Sequence, residues 1–152
     1  MGDGIEVKQV PAQLALVVHT QVSLQTIKEG MGAAFDTLMR HARATGTQFV
    51  GPPFVLYPEM PSGEFQIAVC MPAAPGAVAG DDVVLEELPA VEAATLLYQG
   101  PYDGMEPSWR RLMEWVGASG RRPAGPLREI YLSDPDEVEA QHLLTELVVP
   151  LA

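Results

Sequence analysis

The chain has 152 residues, 47% of them hydrophobic, enough for a sizeable core and too apolar for a disordered segment. Twenty acidic residues against nine basic ones leave a formal net charge of −11. That balance argues against direct binding to a nucleic-acid backbone, which needs clustered Lys and Arg to release counterions. It suits a cationic small molecule or a basic protein partner, and equally suits a surface that only keeps the protein soluble.

The first pattern is an extended strand from Val7 to Val22, centred on Leu14-Ala15-Leu16-Val17-Val18. Ser23 is a good helix N-cap, and after it Ile27, Met31, Ala34, Phe35, Leu38, Met39 and Ala42 recur at helical spacing. Gly46 stands where that helix ends. Phe54 to Tyr57 and Phe65 to Val69 read as two strands joined by a Pro-rich turn. Small residues from Ala73 to Asp82 form a linker.

The order then repeats. Val91 to Tyr98 is a strand, Pro107 opens a helix, and Trp109, Leu112, Met113 and Val116 give that helix its apolar face. Gly117 or Gly120 ends it, and Leu127 to Leu132 and Leu143 to Val149 are the last two strands. Landmarks recur with the elements. Val10-Pro11-Ala12 returns 78 positions on as Leu88-Pro89-Ala90, and Gly51-Pro52 and Tyr57 return 74 positions on as Gly125-Pro126 and Tyr131. Residues 5–72 and 83–150 therefore read as a duplicated strand–helix–strand–strand unit within a single domain spanning 1–152. Two long helices and six strands give an α+β fold with mainly antiparallel sheet. The junction of two such halves is a natural place for a ligand pocket.

Strand alternation puts Leu127, Glu129 and Tyr131 on one face, and Leu144, Glu146 and Val148 on one face. Carboxylates in such apolar runs must stay wet, find a partner or receive a cation, because burying one alone is costly. The corresponding positions of the first half hold Val55 and Ala68, so both acids belong to one half only. That is the pattern of a site grafted on a structural repeat; two glutamates on a solvated sheet face would satisfy it too. Tyr98, Tyr102, Tyr131, Trp109 and Trp115 lie in the same half, and aromatics beside carboxylates suit a lipophilic cation. Core packing is the competing account, strongest for Trp109 on its apolar helix stripe.

Other chemistries find little support. His19, His41 and His142 have no ligand spacing, Cys70 is a lone thiol in an apolar run, and no metal or cofactor is expected. Arg110-Arg111 and Arg121-Arg122 fit solvation of a helix and its following loop better than phosphate binding. The acidic start lacks a secretory segment, and no apolar run reaches the roughly 18 residues of a membrane span. A cytoplasmic protein with no membrane association is expected.

Several short motifs carry a resemblance: Tyr98-Gln99-Gly100-Pro101-Tyr102, the Trp109, Leu112 and Trp115 helix, Gly125 to Tyr131, Asp134-Pro135, and Thr145 to Pro150. In this order they resemble the GyrI-like effector-binding family, also seen as the ligand domain of multidrug-sensing transcription regulators. The resemblance covers nearly the whole chain. It implies a tandem fold with a pocket at the junction of the copies, a ligand-facing glutamate at Glu129, and walls from Tyr131 and Tyr102. Tyr98, Trp109 and Glu146 are further candidates. Relatives fused to helix-turn-helix domains sense drugs; this chain is expected to be a stand-alone binder of lipophilic, often cationic, small molecules. Two alternatives follow from other relatives. One is hydrolysis of electrophilic natural products by a glutamate and a tyrosine in the same pocket. The other is an acidic protein-interaction role such as gyrase inhibition. Pairing of edge strands into a homodimer is also open.

Overall fold

The computed structural model describes residues 4–152, which form two compact units, one from Ala12 to Pro89 and one joining the chain up to Pro11 with Ala90–Ala152. Among the described residues the two long helices are present as expected, with eight strands in place of the six expected. Each extra strand arises at a proline. The expected Val7–Val22 strand is two, β1 (Ile5–Val10) and β2 (Gln13–Ser23), broken at Pro11-Ala12. Pro89-Ala90 likewise separates β5 (Val84–Leu88) from β6 (Val91–Gln99). Proline has no N–H to give to a ladder, so a long strand ends there. The paired acids Glu86 and Glu87 hide β5 from a hydrophobicity pattern.

In the Ala12–Pro89 unit, α1 (Ile27–Thr45), β3 (Phe54–Tyr57) and β4 (Glu64–Pro72) follow β2. The antiparallel order is β5-β2-β4-β3. Ala34, Leu38 and Ala42 of α1 recur every four residues and are buried, with Leu16, Val17, Val55, Ile67 and Val69 of the strands almost wholly enclosed. Ser23 is the last residue of β2 and not the helix cap. Its N–H donates to Thr26 Oγ1 at 2.9 Å, and Thr26 stands at the cap position. The ladder to β4 runs through Ser23↔Glu64, so the strand claims the residue that the local signal gives to the helix. Gly46 ends α1 as expected, with φ 71° and its N–H on the Ala42 carbonyl. Gly46→Ala puts a side chain into that left-handed conformation, and a loss of about 1 kcal/mol in denaturant unfolding is expected.

The other unit holds β1, β6, α2 (Glu106–Ala118), β7 (Leu127–Tyr131) and β8 (Leu144–Pro150), in the antiparallel order β1-β6-β8-β7. Pro107 lies in the first turn of α2, as its missing N–H allows. Leu112 and Val116, four residues apart, meet Ala94, Leu96, Leu147 and Val149 in one buried cluster. Trp109, Met113 and Trp115 pack around it half-buried. The helix runs through Gly117 to Ala118, and Gly120 follows with φ 81°. β1 thus pairs with β6, while β5 pairs with β2. Each of these short strands pairs away from the strand that directly follows it in the chain, β1 from β2 and β5 from β6. Cys70, on β4, is buried, with its Sγ 3.6 Å from the Ala68 carbonyl oxygen.

Candidate functional site: a carboxylate held by an indole and a phenol

The register of β6, β8 and β7 sorts the candidate residues. Leu147 stands opposite both Leu96 and Glu129, and Thr145 opposite both Tyr98 and Tyr131. Directly opposed residues of an antiparallel pair share a face. Glu129, Tyr131 and Tyr98 are therefore on the face that Leu96 and Leu147 turn toward Leu112 and Val116 of α2. Glu146 is opposite Ile130 and Leu97, on the other face. The two glutamates do not come together.

The helix brings its indole to the first of them. Trp109 follows Met105 and precedes Leu112 and Val116 on the stripe of α2 that meets the sheet. Its Nε1–H donates to Glu129 Oε2 at 2.9 Å. The Tyr131 hydroxyl, two residues along the same strand face, donates to Glu129 Oε1 at 2.8 Å. Each carboxylate oxygen is thus held by a neutral donor. The Tyr102 ring meets Tyr131 edge-on, with centroids 5.6 Å apart and planes at 65°, a favourable quadrupolar arrangement. Burial pushes the Tyr102 phenol above its usual pKa of 10.0, and the nearby charge of Asp134 adds to the rise. Asp134 is fixed by a turn in which its Oδ1 accepts the Asp136 N–H at 2.8 Å.

Tyr98 serves a different end. Its hydroxyl donates to the Pro101 carbonyl at 2.7 Å. A Cβ on Gly100 would lie 2.7 Å from that hydroxyl oxygen, and one on Gly104 only 2.5 Å away. Tyr98 therefore pins the turn that delivers Tyr102, whose one-turn 3-10 helix (Tyr102–Gly104) leads into α2. Gly100 has φ 145°, and its N–H reaches the Leu143 carbonyl at 2.9 Å. Gly100→Ala is expected to cost about 1–3 kcal/mol of stability, measured by thermal unfolding, because backbone and tyrosine both resist the methyl group.

Glu146 has its own partner, Lys8 of β1, with Nζ to Oε2 at 2.6 Å. The lysine side chain is 45% exposed and the glutamate 20%, which limits the net worth of the pair. Trp109→Phe keeps a ring on the helix but removes a donor to a carboxylate. A loss of about 1 kcal/mol and an altered Tyr131 environment in ultraviolet difference spectra are expected.

Three neighbours have no role in the sequence reading, which names Asp134 and Thr145 only within motifs and does not name Lys8. Asp134 acts through space on Tyr102, Lys8 reaches Glu146 from 138 residues away, and Thr145 lies between the two tyrosine positions. Thr145 leaves a local trace as a hydroxyl inside an apolar strand, and Asp134 as part of an Asp-Pro turn, whereas Lys8 leaves none. Among the described residues, no group of three His, Cys, Asp or Glu gathers to hold a metal, and no helix is long and apolar enough to cross a membrane. Two open clefts, of about 240 and 310 Å³, lie in the Ala12–Pro89 unit, beside Thr45–Gln48 and between β2 and α1. Neither is lined by any of the site residues above.

Several solved structures share this fold. The C-terminal domain of EcmrR superposes with a TM-score of 0.84 at 19% identity, covering 97% of this chain and 96% of that one. EcmrR in complex with DNA gives 0.86 at 19% identity, and the alignment spans 97% of this chain but only 56% of that chain. SAV2435 bound to tetraphenylphosphonium gives 0.66 at 9% identity, covering 97% of this chain and 93% of that one. A hydrolase from Listeria innocua gives 0.68 at 15% identity, covering 99% and 92%. At these identities the likeness establishes the fold, an α+β arrangement of antiparallel sheet with two helices. No curated protein matches the sequence. The model of the GyrI-like small molecule binding domain matches residues 4–152, and the chain belongs to that family.

Proposed function

We propose that the protein binds lipophilic organic cations at Glu129, with Tyr131, Tyr102 and Trp109 as aromatic walls. The observation that carries this reading is the carboxylate suspended between an indole N–H and a phenol O–H, with a second phenol ring against the first. An organic cation gains twice there, by charge pairing with Glu129 and by contact with electron-rich ring faces. The neutral donors orient the carboxylate and can yield to a cation, which interacts more strongly. Because Trp109 and Tyr131 each hold one oxygen of Glu129, a cation that pairs directly with the carboxylate would displace one of these donors. The SAV2435 fold accommodating tetraphenylphosphonium supports the choice of ligand class. The same reading takes residues 5–72 and 83–150 as copies of one ancestral element, with the site elaborated in the copy that carries Glu129.

The test is calorimetric titration with tetraphenylphosphonium and with neutral triphenylphosphine oxide. Tight binding of the cation and weak binding of the neutral compound are expected. Equal affinity for both would remove charge recognition from the account.

A second reading draws on the 2.8 Å contact between the Tyr131 hydroxyl and Glu129. Glu129 would take a proton from water as it attacks a strained electrophile, while Tyr131 protonates the departing heteroatom. The likeness to a Listeria innocua hydrolase is compatible with it. Product formation from an aryl epoxide, absent in Glu129→Gln, would favour this reading; an unchanged epoxide after prolonged incubation would dismiss it.

A further inference from the structure

We propose that Thr145 is a second polar anchor of the Glu129 site, which would then prefer cations carrying a hydroxyl near the charged centre. The inference rests on the cation-binding reading and adds a specificity determinant to it.

Thr145 is wholly buried on β8, and its Oγ1 has no hydrogen-bond partner. A hydroxyl enclosed without a partner loses its water and receives nothing in return, so native structures rarely keep one without a use. Its position supplies the use. Thr145 stands opposite both Tyr98 and Tyr131, and Leu147, two residues on, stands opposite Glu129. Thr145 is therefore on the face of Glu129, diagonal to it across the β7–β8 pair, and beneath the tyrosines that wall the site. In this proposal, a ligand that displaces the Tyr131 ring from Glu129 also gains access to the hydroxyl of the directly opposed Thr145.

The fold does not ask for the oxygen. The position 78 residues earlier, on β4, holds Ile67, which is also fully buried. A β-branched side chain satisfies the strand in both places, and isoleucine does so without a hydroxyl. Val55 likewise stands, buried, 74 residues before Glu129. Glu129 and Thr145 fall in the same unit and on the same sheet face, whereas Glu146, where the first half holds Ala68, is on the other face. A threonine hydroxyl offers one donor and two acceptor positions, so a ligand hydroxyl can pair with it in either sense.

The test uses two cations of matched size, (2-hydroxyethyl)triphenylphosphonium and n-propyltriphenylphosphonium, titrated against wild type, Thr145→Val and Thr145→Ser. Wild type is expected to bind the hydroxyethyl compound about five-fold more tightly, the range of one net hydrogen bond. Thr145→Val should bind both equally while retaining wild-type affinity for the propyl compound, and Thr145→Ser should keep the preference. Thr145→Ala is the second hydroxyl-free variant should valine impair folding. No preference in wild type, or a preference that survives loss of the hydroxyl, overturns the role of Thr145 and leaves the cation site standing. Failure of wild type to bind either cation overturns both readings together.

Discussion

Glu129→Gln is expected to weaken binding of tetraphenylphosphonium by about ten- to a hundred-fold, with little change for a neutral triaryl compound of similar bulk. The substitution preserves side-chain length and one carbonyl oxygen, so the ring walls of Tyr131, Tyr102 and Trp109 remain. What it removes is the charge, and with it the ion pairing that a half-buried carboxylate supplies. It also replaces one of the two acceptor oxygens that Trp109 and Tyr131 occupy with an NH2 group, which cannot accept. A fall of roughly 1–2 kcal/mol in unfolding free energy should accompany the loss of affinity. The two effects separate in a thermal-shift series. Ligand stabilisation grows with ligand concentration, whereas the intrinsic loss is present without ligand. Wild-type affinity for the cation in the glutamine variant would show that aromatic contact alone drives binding.

Leu112→Ala is expected to be the most damaging single change to the fold of the unit that carries the site, at about 2–5 kcal/mol. Leu112 is fully buried among Ala94, Leu96, Leu147, Val149 and Val116. Removing three carbon atoms there leaves a cavity that the sheet cannot close, because its strands are fixed by their ladders. The cost is a large share of a typical domain's total of about 5–15 kcal/mol. Trp109 is the neighbouring residue on the same stripe, so a loosened α2 also releases the indole from Glu129. Urea denaturation gives the stability loss, and indole fluorescence follows the release. Near-wild-type stability would mean that α2 contributes far less to the core than its burial implies.

The two helices were legible because their periodicity is a local property. Ala34, Leu38 and Ala42 repeat every turn, and Gly46 fits the left-handed cap at the end. Alternation was equally sufficient for Glu129 and Tyr131, which share a face because they are two residues apart on one strand. Ser23 misled because a good capping residue can also end a strand. Its ladder partner Glu64 is 41 positions away, and nothing near Ser23 announces it.

By itself, then, the sequence determined the α+β composition, the helix stripes, the family and the aromatic–acidic character of residues 98–131. All of these depend on the order and spacing of neighbours. Tertiary structure alone decided the partners. It set β1 beside β6 and β5 beside β2, separated Glu146 from Glu129 by the thickness of a sheet, and joined Glu146 to Lys8. It also brought Trp109 and Tyr131 onto opposite oxygens of one carboxylate. Strand register and helix placement are settled by cooperative burial of the whole core, and a one-residue slip reverses every side chain of a strand.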